Sequence, residues 1–139
     1  MNQSTVPDAL GPDGIISKRS AFGVAETVGR LTEAMEAAGA IVFAVIDQAA
    51  AARKAGLSLR ETQLVIFGNP AVGTPVMDAV PVAALDLPLK ILVFADDGGK
   101  VWMSYLDRNW LASRYGLSPR LAAPLAAPGV LVAKINGQP

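Results

Sequence analysis

The part of the chain best suited to binding a ligand is residues 68–75, which read Gly-Asn-Pro-Ala-Val-Gly-Thr-Pro. They follow the apolar run at residues 62–67, which predicts a strand. Thr74 before Pro75 predicts a helix start, with Thr74 as the N-cap and Pro75 at the first helical position. Backbone N–H groups at a helix start attract anions, and glycine lets a ligand approach closely. The segment thus predicts a pocket for a carboxylate, phosphate or sulfur-oxide group. The alternative is a capped structural turn, because the Gly-Lys-Ser/Thr of a P-loop is missing.

A second polar position, Asp47 with Gln48, follows residues 40–46, which read AIVFAVI. This apolar, β-branched run predicts a central strand that is buried on both faces. Ligands of α/β proteins often bind at the carboxyl ends of strands, so this strand end and residues 67–75 are predicted to build one pocket. The alternative is that Asp47 only caps a helix predicted at residues 48–55. The residues predicted to bind a ligand are Asp47, Gln48, Phe67, Gly68, Asn69, Pro70, Gly73, Thr74 and Tyr105.

Acid–base chemistry in this chain would have to use Asp, Glu, Lys or Tyr, because the sequence contains no His and no Cys. Asp47 or Asp86 could act as the acid or base, with Tyr105 as a hydrogen-bond donor. The alternatives are structural: Asp86 fixes a turn, and Tyr105 is a half-buried strand residue. The sequence offers no nucleophile–base pair, so no catalytic residue is assigned, and the prediction leans away from an enzyme.

Composition excludes several classes of function. Without Cys, disulfides, Fe–S clusters and structural zinc sites are excluded, and neither a metal ligand nor a cofactor is identified. The 12 basic residues are balanced by 12 acidic ones, which disfavours nucleic acid as a partner. The longest uncharged apolar stretch, residues 121–133, is interrupted by prolines and is too short to span a membrane. The chain has no apolar segment typical of a secretory signal, so a cytoplasmic location is expected.

Periodicity predicts an α+β fold, with a mostly antiparallel sheet and helices packed on one face. A flexible tail is predicted at residues 1–14 and one domain at residues 15–139. Predicted strands lie at residues 15–19, 40–46, 62–67, 89–95 and 100–106. Predicted helices lie at residues 24–38, 48–55, 76–84 and 107–115, and a last helix begins at Ser118-Pro119. Asp96-Asp97-Gly98-Gly99 predicts a hairpin with an acidic tip.

Several short motifs together resemble one bacterial family. They are FAVIDQAAAA at residues 43–52, LVIFGNP at 64–70, GTP at 73–75, LDLP at 85–88 and GKVW at 99–102. Their order and spacing resemble domain-of-unknown-function family 302 over about residues 15–115. The resemblance implies a fold similar in outline to the TATA-box-binding protein, a homodimer, and no established activity. Members of that family often carry His where this chain has Gln48, so a family mechanism that needs this His does not transfer.

Three functions remain open from the sequence. The leading hypothesis is a homodimeric sensor or accessory module that binds a small molecule or a small anion in the pocket described above. The second is an enzyme that uses Asp and Tyr. The third is a structural or protein-interaction module that dimerises through a strand edge or a Trp-bearing face.

Overall fold

The computed structural model describes residues 12–137, and its centre is one five-stranded sheet in the order β1-β5-β4-β3-β2. All four strand pairs are antiparallel. The strands are β1 Ile15–Ser20, β2 Ile41–Asp47, β3 Thr62–Gly68, β4 Leu89–Ala95 and β5 Val101–Leu106. The predicted antiparallel α+β fold is therefore confirmed.

Helices cover one face of this sheet. They are α1 Val24–Ala37, α2 Gln48–Lys54, α3 Pro70–Ala79, α4 Arg108–Tyr115, α5 Pro119–Ala122 and α6 Ala127–Ile135, with 3-10 turns at Pro12–Gly14, Pro81–Asp86 and Ala123–Ala126. Helices α2 and α3 follow strand ends that lie at the two opposite ends of the sheet. Buried side chains of α1 and α6 pack on buried side chains of β3, β4 and β5. The cluster includes Leu31 and Met35 of α1 and Phe67, Ile91 and Met103 of the strands. This cluster is the hydrophobic core.

The predicted tail falls mostly outside the described part of the chain, because the structure begins at residue 12. Residues 12–14 form a 3-10 turn, and the carbonyl of Gly14 accepts a 2.8 Å hydrogen bond from the backbone N–H of Asp107. Gly14 has a φ of +76°, and a Cβ there would lie 2.2 Å from the ring of Trp110. Glycine is thus required where this turn packs on α4.

Local sequence signals fix the ends of several helices. Gly23 is the N-cap of α1, and Arg30 forms an i,i+4 ion pair with Glu26 at 2.8 Å. Asp47 caps α2, since its Oδ1 accepts from the N–H of Ala50 at 2.9 Å. Ser118 caps α5 in the same way. Within residues 12–137, no helix has the length and apolar character that a membrane crossing needs.

The apolar strand β2 is not central, and its predicted burial on both faces is wrong. It lies at one edge of the sheet, next to β3 alone. A bulge interrupts the pairing between Val42 and Ala44, so Phe43 has no partner in the ladder. The composition of β2 is that of a buried strand, but no other described strand pairs with its outer edge.

The predicted hairpin between β4 and β5 is present, and Asp96 organises its turn. Its side chain is buried, with Oδ1 accepting from the N–H groups of Gly98 and Lys100 at 2.9 Å each. Its Oδ2 accepts from the indole N–H of Trp102, also at 2.9 Å. The bond from Trp102 and the two backbone donors hold the pKa of Asp96 below its usual value, against the opposing effect of burial.

Replacing Asp96 with Asn is expected to destabilise the protein at neutral pH, because the amide NH₂ would face the indole N–H or the backbone donors. The lowered folded-state pKa means that the carboxylate stabilises the fold above about pH 4, the ordinary value for Asp, and that this contribution is lost as the pH falls further. The difference in melting temperature between wild type and Asp96→Asn should therefore shrink at acid pH.

The matched control for this prediction is Asp97→Asn. Asp97 is the exposed neighbour, and among the residues that the structure describes it pairs with Arg60 at 2.7 Å. Exposed ion pairs contribute little, so the melting temperature should change little. Equal effects of the two substitutions, measured by circular dichroism between neutral and acid pH, would contradict the role assigned to Asp96.

Candidate functional site

Helix α3 begins five residues earlier than the sequence predicts. Its N-cap is Asn69, whose Oδ1 accepts from the N–H of Ala71 at 3.0 Å, and Pro70 is the first helical residue. Asn69 followed by Pro70 is as good a helix-start signal as Thr74 followed by Pro75, and the helix begins at the earlier of the two. The predicted cap at Thr74 is therefore wrong, and Thr74 and Pro75 lie inside the helix.

The N–H groups at this helix start are engaged within the helix itself. Ala71 donates to the Asn69 side chain, and Val72 and Gly73 both donate to the Asn69 carbonyl, at 3.0 and 2.9 Å. Pro70 has no N–H. An anion at this position would have to displace existing hydrogen bonds, so the geometry gives little support to an anion cradle.

A cavity of about 140 Å³ lies beside the start of α3. Its walls come from β2, the end of β3, α3, the start of β4 and the 3-10 turn that follows α5. The lining residues are Phe43, Gly68, Asn69, Pro70, Val72, Gly73, Thr74, Met77, Leu87, Pro88, Leu89, Pro124 and Leu125. Most of these side chains are apolar, and the Thr74 hydroxyl and the Asn69 amide are the polar groups among them.

Two glycines leave the space that the cavity occupies. A Cβ on Gly68 would lie 3.5 Å from Cβ of Pro88 and 3.6 Å from Cε2 of Phe43. A Cβ on Gly73 would meet only the flexible tip of Met77, at 3.9 Å. Both positions could accept a side chain without a backbone clash, but a large one would fill the cavity.

Five of the predicted ligand-binding residues line this cavity together. They are Gly68, Asn69, Pro70, Gly73 and Thr74. All five belong to the continuous segment that the sequence singled out, and the turn-and-cap signals that identified them are local.

Asp47 and Gln48 do not reach this cavity, and the prediction that they share a pocket with residues 67–75 is wrong. Strand β2 runs antiparallel to β3, so Ile41 faces Gly68 and Asp47 faces Gln63. The carboxyl ends of the two strands therefore lie at opposite ends of the sheet, about 20 Å apart for six residues of extended chain. The rule for parallel sheets does not apply to this pair.

Phe67 and Tyr105 also lie away from the cavity lining. Phe67 is only 1% exposed and belongs to the hydrophobic core, on the face of β3 that packs against α1. Tyr105 packs partly against the same core, and its hydroxyl oxygen would lie 3.2 Å from a Cβ on Gly129 of α6.

Asp86 joins two parts of the structure through its carboxylate. Its Oδ2 accepts a short hydrogen bond from the Tyr115 hydroxyl and lies 3.6 Å from Nε of Arg114. The bond to Asp86, with burial and the carboxylate charge, raises the pKa of Tyr115. This cluster ties the 3-10 turn before β4 to α4. The acid–base role of Asp86 stays a prediction, and Asp86 and Tyr105 both line a second groove of about 370 Å³.

Comparison with known protein families assigns the chain to one of them. The model of a family described as domain of unknown function DUF302 matches residues 16–127. The chain belongs to the DUF302 family. The match includes the whole cavity lining, from Phe43 to Leu125.

A solved DUF302 structure has the same fold. The crystal structure of an uncharacterised conserved DUF302 protein from Bacillus stearothermophilus superposes with a TM-score of 0.73, covering 89% of this chain and 96% of that one. The two sequences are 18% identical. This likeness shows the fold, and neither structure brings an established activity with it.

Curated relatives of this DUF302 chain carry a functional name. A protein named fluoride-specific ion channel FluC 1 from Brucella suis is 41% identical over 104 residues, which are 75% of this chain and 41% of that protein. Fluoride-specific ion channel FluC 2 from Brucella melitensis matches at the same identity over 38% of its length. The chain thus spans about two-fifths of the length of these relatives.

The sequence missed most of the apolar wall of the cavity in this DUF302 domain. Val72 lies within the predicted segment but is assigned no role, and Leu87 and Pro88 directly follow Asp86, for which the structural alternative is a turn-fixing residue. The missed residues are Phe43, Val72, Met77, Leu87, Pro88, Leu89, Pro124 and Leu125. They come from distant parts of the chain and are apolar, so no local pattern distinguishes them from core residues.

Proposed function

We propose that this DUF302 domain is a sensor or accessory module that binds a small, mostly apolar molecule in the cavity beside α3, and that it acts as a homodimer. The observation that carries the proposal is the apolar cavity itself, which two glycines keep open between side chains of five chain segments. Ligand pockets in proteins are mainly apolar with a few polar groups, and this cavity has that character.

The size of the cavity indicates the size of the ligand. An apolar cavity of about 150 Å³ can hold benzene, and this cavity measures about 140 Å³. Two of its lining residues lie at the surface, since Phe43 is 51% exposed and Val72 is 40% exposed. A single ring or a branched alkyl group would fill the space, and the rest of a longer ligand could extend past Val72.

The polar groups of the cavity favour an uncharged ligand. No Asp, Glu, Lys or Arg is among its lining residues. The Asn69 amide oxygen caps the helix, which leaves the Thr74 hydroxyl as the group suited to orient a ligand. A charged ligand would be desolvated there without an opposite charge, and that costs free energy.

An NMR titration of ¹⁵N-labelled protein with benzene tests this function. We expect saturable shifts in the amide signals of Gly68, Gly73 and Leu89, because a ring in the cavity alters the local field. Sodium fluoride, titrated in parallel with sodium chloride, tests the alternative of an anion site at the start of α3. Benzene shifts that are absent, or that rise linearly across the whole surface, would contradict the proposal.

A second candidate is an accessory module of a fluoride channel. The observation that favours it is the 41% identity to a segment of proteins named fluoride-specific ion channels. In such a role the domain would report a ligand, or fluoride itself, to the channel. Saturable shifts of the Ala71, Val72 and Gly73 amides with fluoride but not with chloride would favour this candidate over the first.

A further inference from the structure

Strand β2 presents an unusually apolar edge to solvent. Four of its large side chains are substantially exposed: Ile41 at 47%, Phe43 at 51%, Val45 at 42% and Ile46 at 39%. These exposed side chains lie on both faces of the sheet: Val45 is opposite the core residue Val65, and Ile46 is opposite Leu64 on the other face. Residues 41–46 include no charged side chain and no proline.

The opposite edge of the same sheet is built differently. Strand β1 carries Lys18 and Arg19 in its six residues, and Arg19 lies 5.5 Å from the Trp102 ring centroid. Charged side chains, above all Lys, are the usual means by which natural proteins keep an edge strand from pairing with another chain. One edge of this sheet is protected by charge, whereas the edge formed by β2 is uncharged over residues 41–46 and is interrupted only by the bulge at Phe43.

We propose that β2 pairs with β2 of a second copy of this chain, so that two sheets join into one of ten strands. This rests on the dimeric part of the proposed function and identifies the surface that forms the dimer. A two-fold axis places the same strand on both sides and makes the pair antiparallel. The unpaired N–H and C=O groups of each edge then bond to the other, and the exposed apolar side chains lose contact with water.

Charge supports a second copy as the partner. The one charged residue of β2 is Asp47, at its carboxyl end. With the two-fold axis between Phe43 and Ala44, apolar residues face apolar residues along the pair, and each Asp47 lies beside Ala40 of the other copy. The two carboxylates are then at opposite ends of the pair, so no like charges meet.

Substitution of a surface-exposed β2 residue by lysine tests the proposal, with oligomeric state measured by sedimentation velocity and native mass spectrometry. Wild-type protein should have about twice the chain mass of 14.4 kDa. Val45→Lys should raise the dimer dissociation constant by about 100-fold or more, because each copy would bury an ammonium group in the pair. The matched control is Ile15→Lys on β1, where the native side chain is 44% exposed, and it should leave the dimer intact.

Circular dichroism shows whether each variant is folded. If Val45→Lys does not fold, Ile46→Lys takes its place, because Ile46 lies on the other face of β2. A monomeric wild type, a dimeric folded β2 variant, or loss of the dimer in Ile15→Lys would each overturn the proposal. Val45 and Ile46 do not line the cavity, so the saturable amide shifts caused by benzene (the benzene response) should survive in a monomeric variant. Failure of the dimer surface and failure of the ligand site are thus measured separately.

Discussion

Replacing Phe67 with alanine is expected to lower the free energy of unfolding by about 3–5 kcal/mol, a large part of the stability of a domain of this size. Phe67 is 1% exposed and packs in the core with Val65, Ile91 and residues of α1. Truncation removes its buried ring and leaves a void that the surrounding helices and strands fill only partly. The measurement is urea unfolding followed by circular dichroism, at one fixed protein concentration because the proposed dimer contributes to stability.

Phe43→Ala is the matched control, because Phe43 is an aromatic residue of the neighbouring strand with 51% of its surface exposed in the single chain. Since Phe43 lies at the centre of the proposed dimer, both truncations are compared in the monomeric Val45→Lys background. Its truncation should cost about 1 kcal/mol or less, since little buried surface is lost, while it opens one wall of the cavity. If Phe67→Ala unfolds like wild type and instead loses the benzene response, Phe67 is a ligand-binding residue after all and the assignment to the core is wrong.

The second large effect is expected from Gly73→Leu, which should abolish the benzene response while the protein stays folded. Gly73 lies within α3, and a Cβ there meets only Cε of Met77, at 3.9 Å. The leucine side chain can therefore enter the cavity and occupy the volume that the ligand would take. Glycine costs up to about 1 kcal/mol within a helix, so the variant should be at least as stable as wild type.

Gly29→Leu is the control for that substitution. Gly29 lies in α1 and is exposed, and a Cβ at this position would meet no neighbouring part of the described chain within 4 Å. The variant should gain similar helix stability and keep the full benzene response. Loss of the response in both variants would point to a general effect on the fold, and its survival in Gly73→Leu would place the ligand elsewhere.

Signals that act within a few residues predicted their structures well. The caps at Asp47 and Ser118 follow from short hydrogen-bonding patterns that need no knowledge of the rest of the chain. The antiparallel α+β fold followed from periodicity and from the turn residues between strands. Competition between two such signals caused the error at α3, where Asn69 starts the helix before Thr74 can.

Features that depend on the order of the strands in the sheet could not be predicted from the sequence of one chain. The run of apolar residues in β2 has the composition of a central strand, yet the sheet order places it at an edge. The antiparallel pairing of β2 and β3 also separates Asp47 from the cavity, because the carboxyl ends of the two strands lie at opposite ends of the sheet. If β2 pairs with a second copy as proposed, its composition fits its position in the dimer, and the error concerns only the isolated chain.

The most direct test of the ligand site is the set of intermolecular nuclear Overhauser effects between benzene and the methyl groups of the protein. The proposal predicts contacts to Met77, Val72 and Leu87, which line the cavity beside α3. The competing location is the groove of about 370 Å³ lined by Leu64, Leu92 and Leu106, among others. Contacts to the Met77 methyl that vanish in Gly73→Leu would support the proposed site, and contacts confined to Leu64, Leu92 and Leu106 would contradict it.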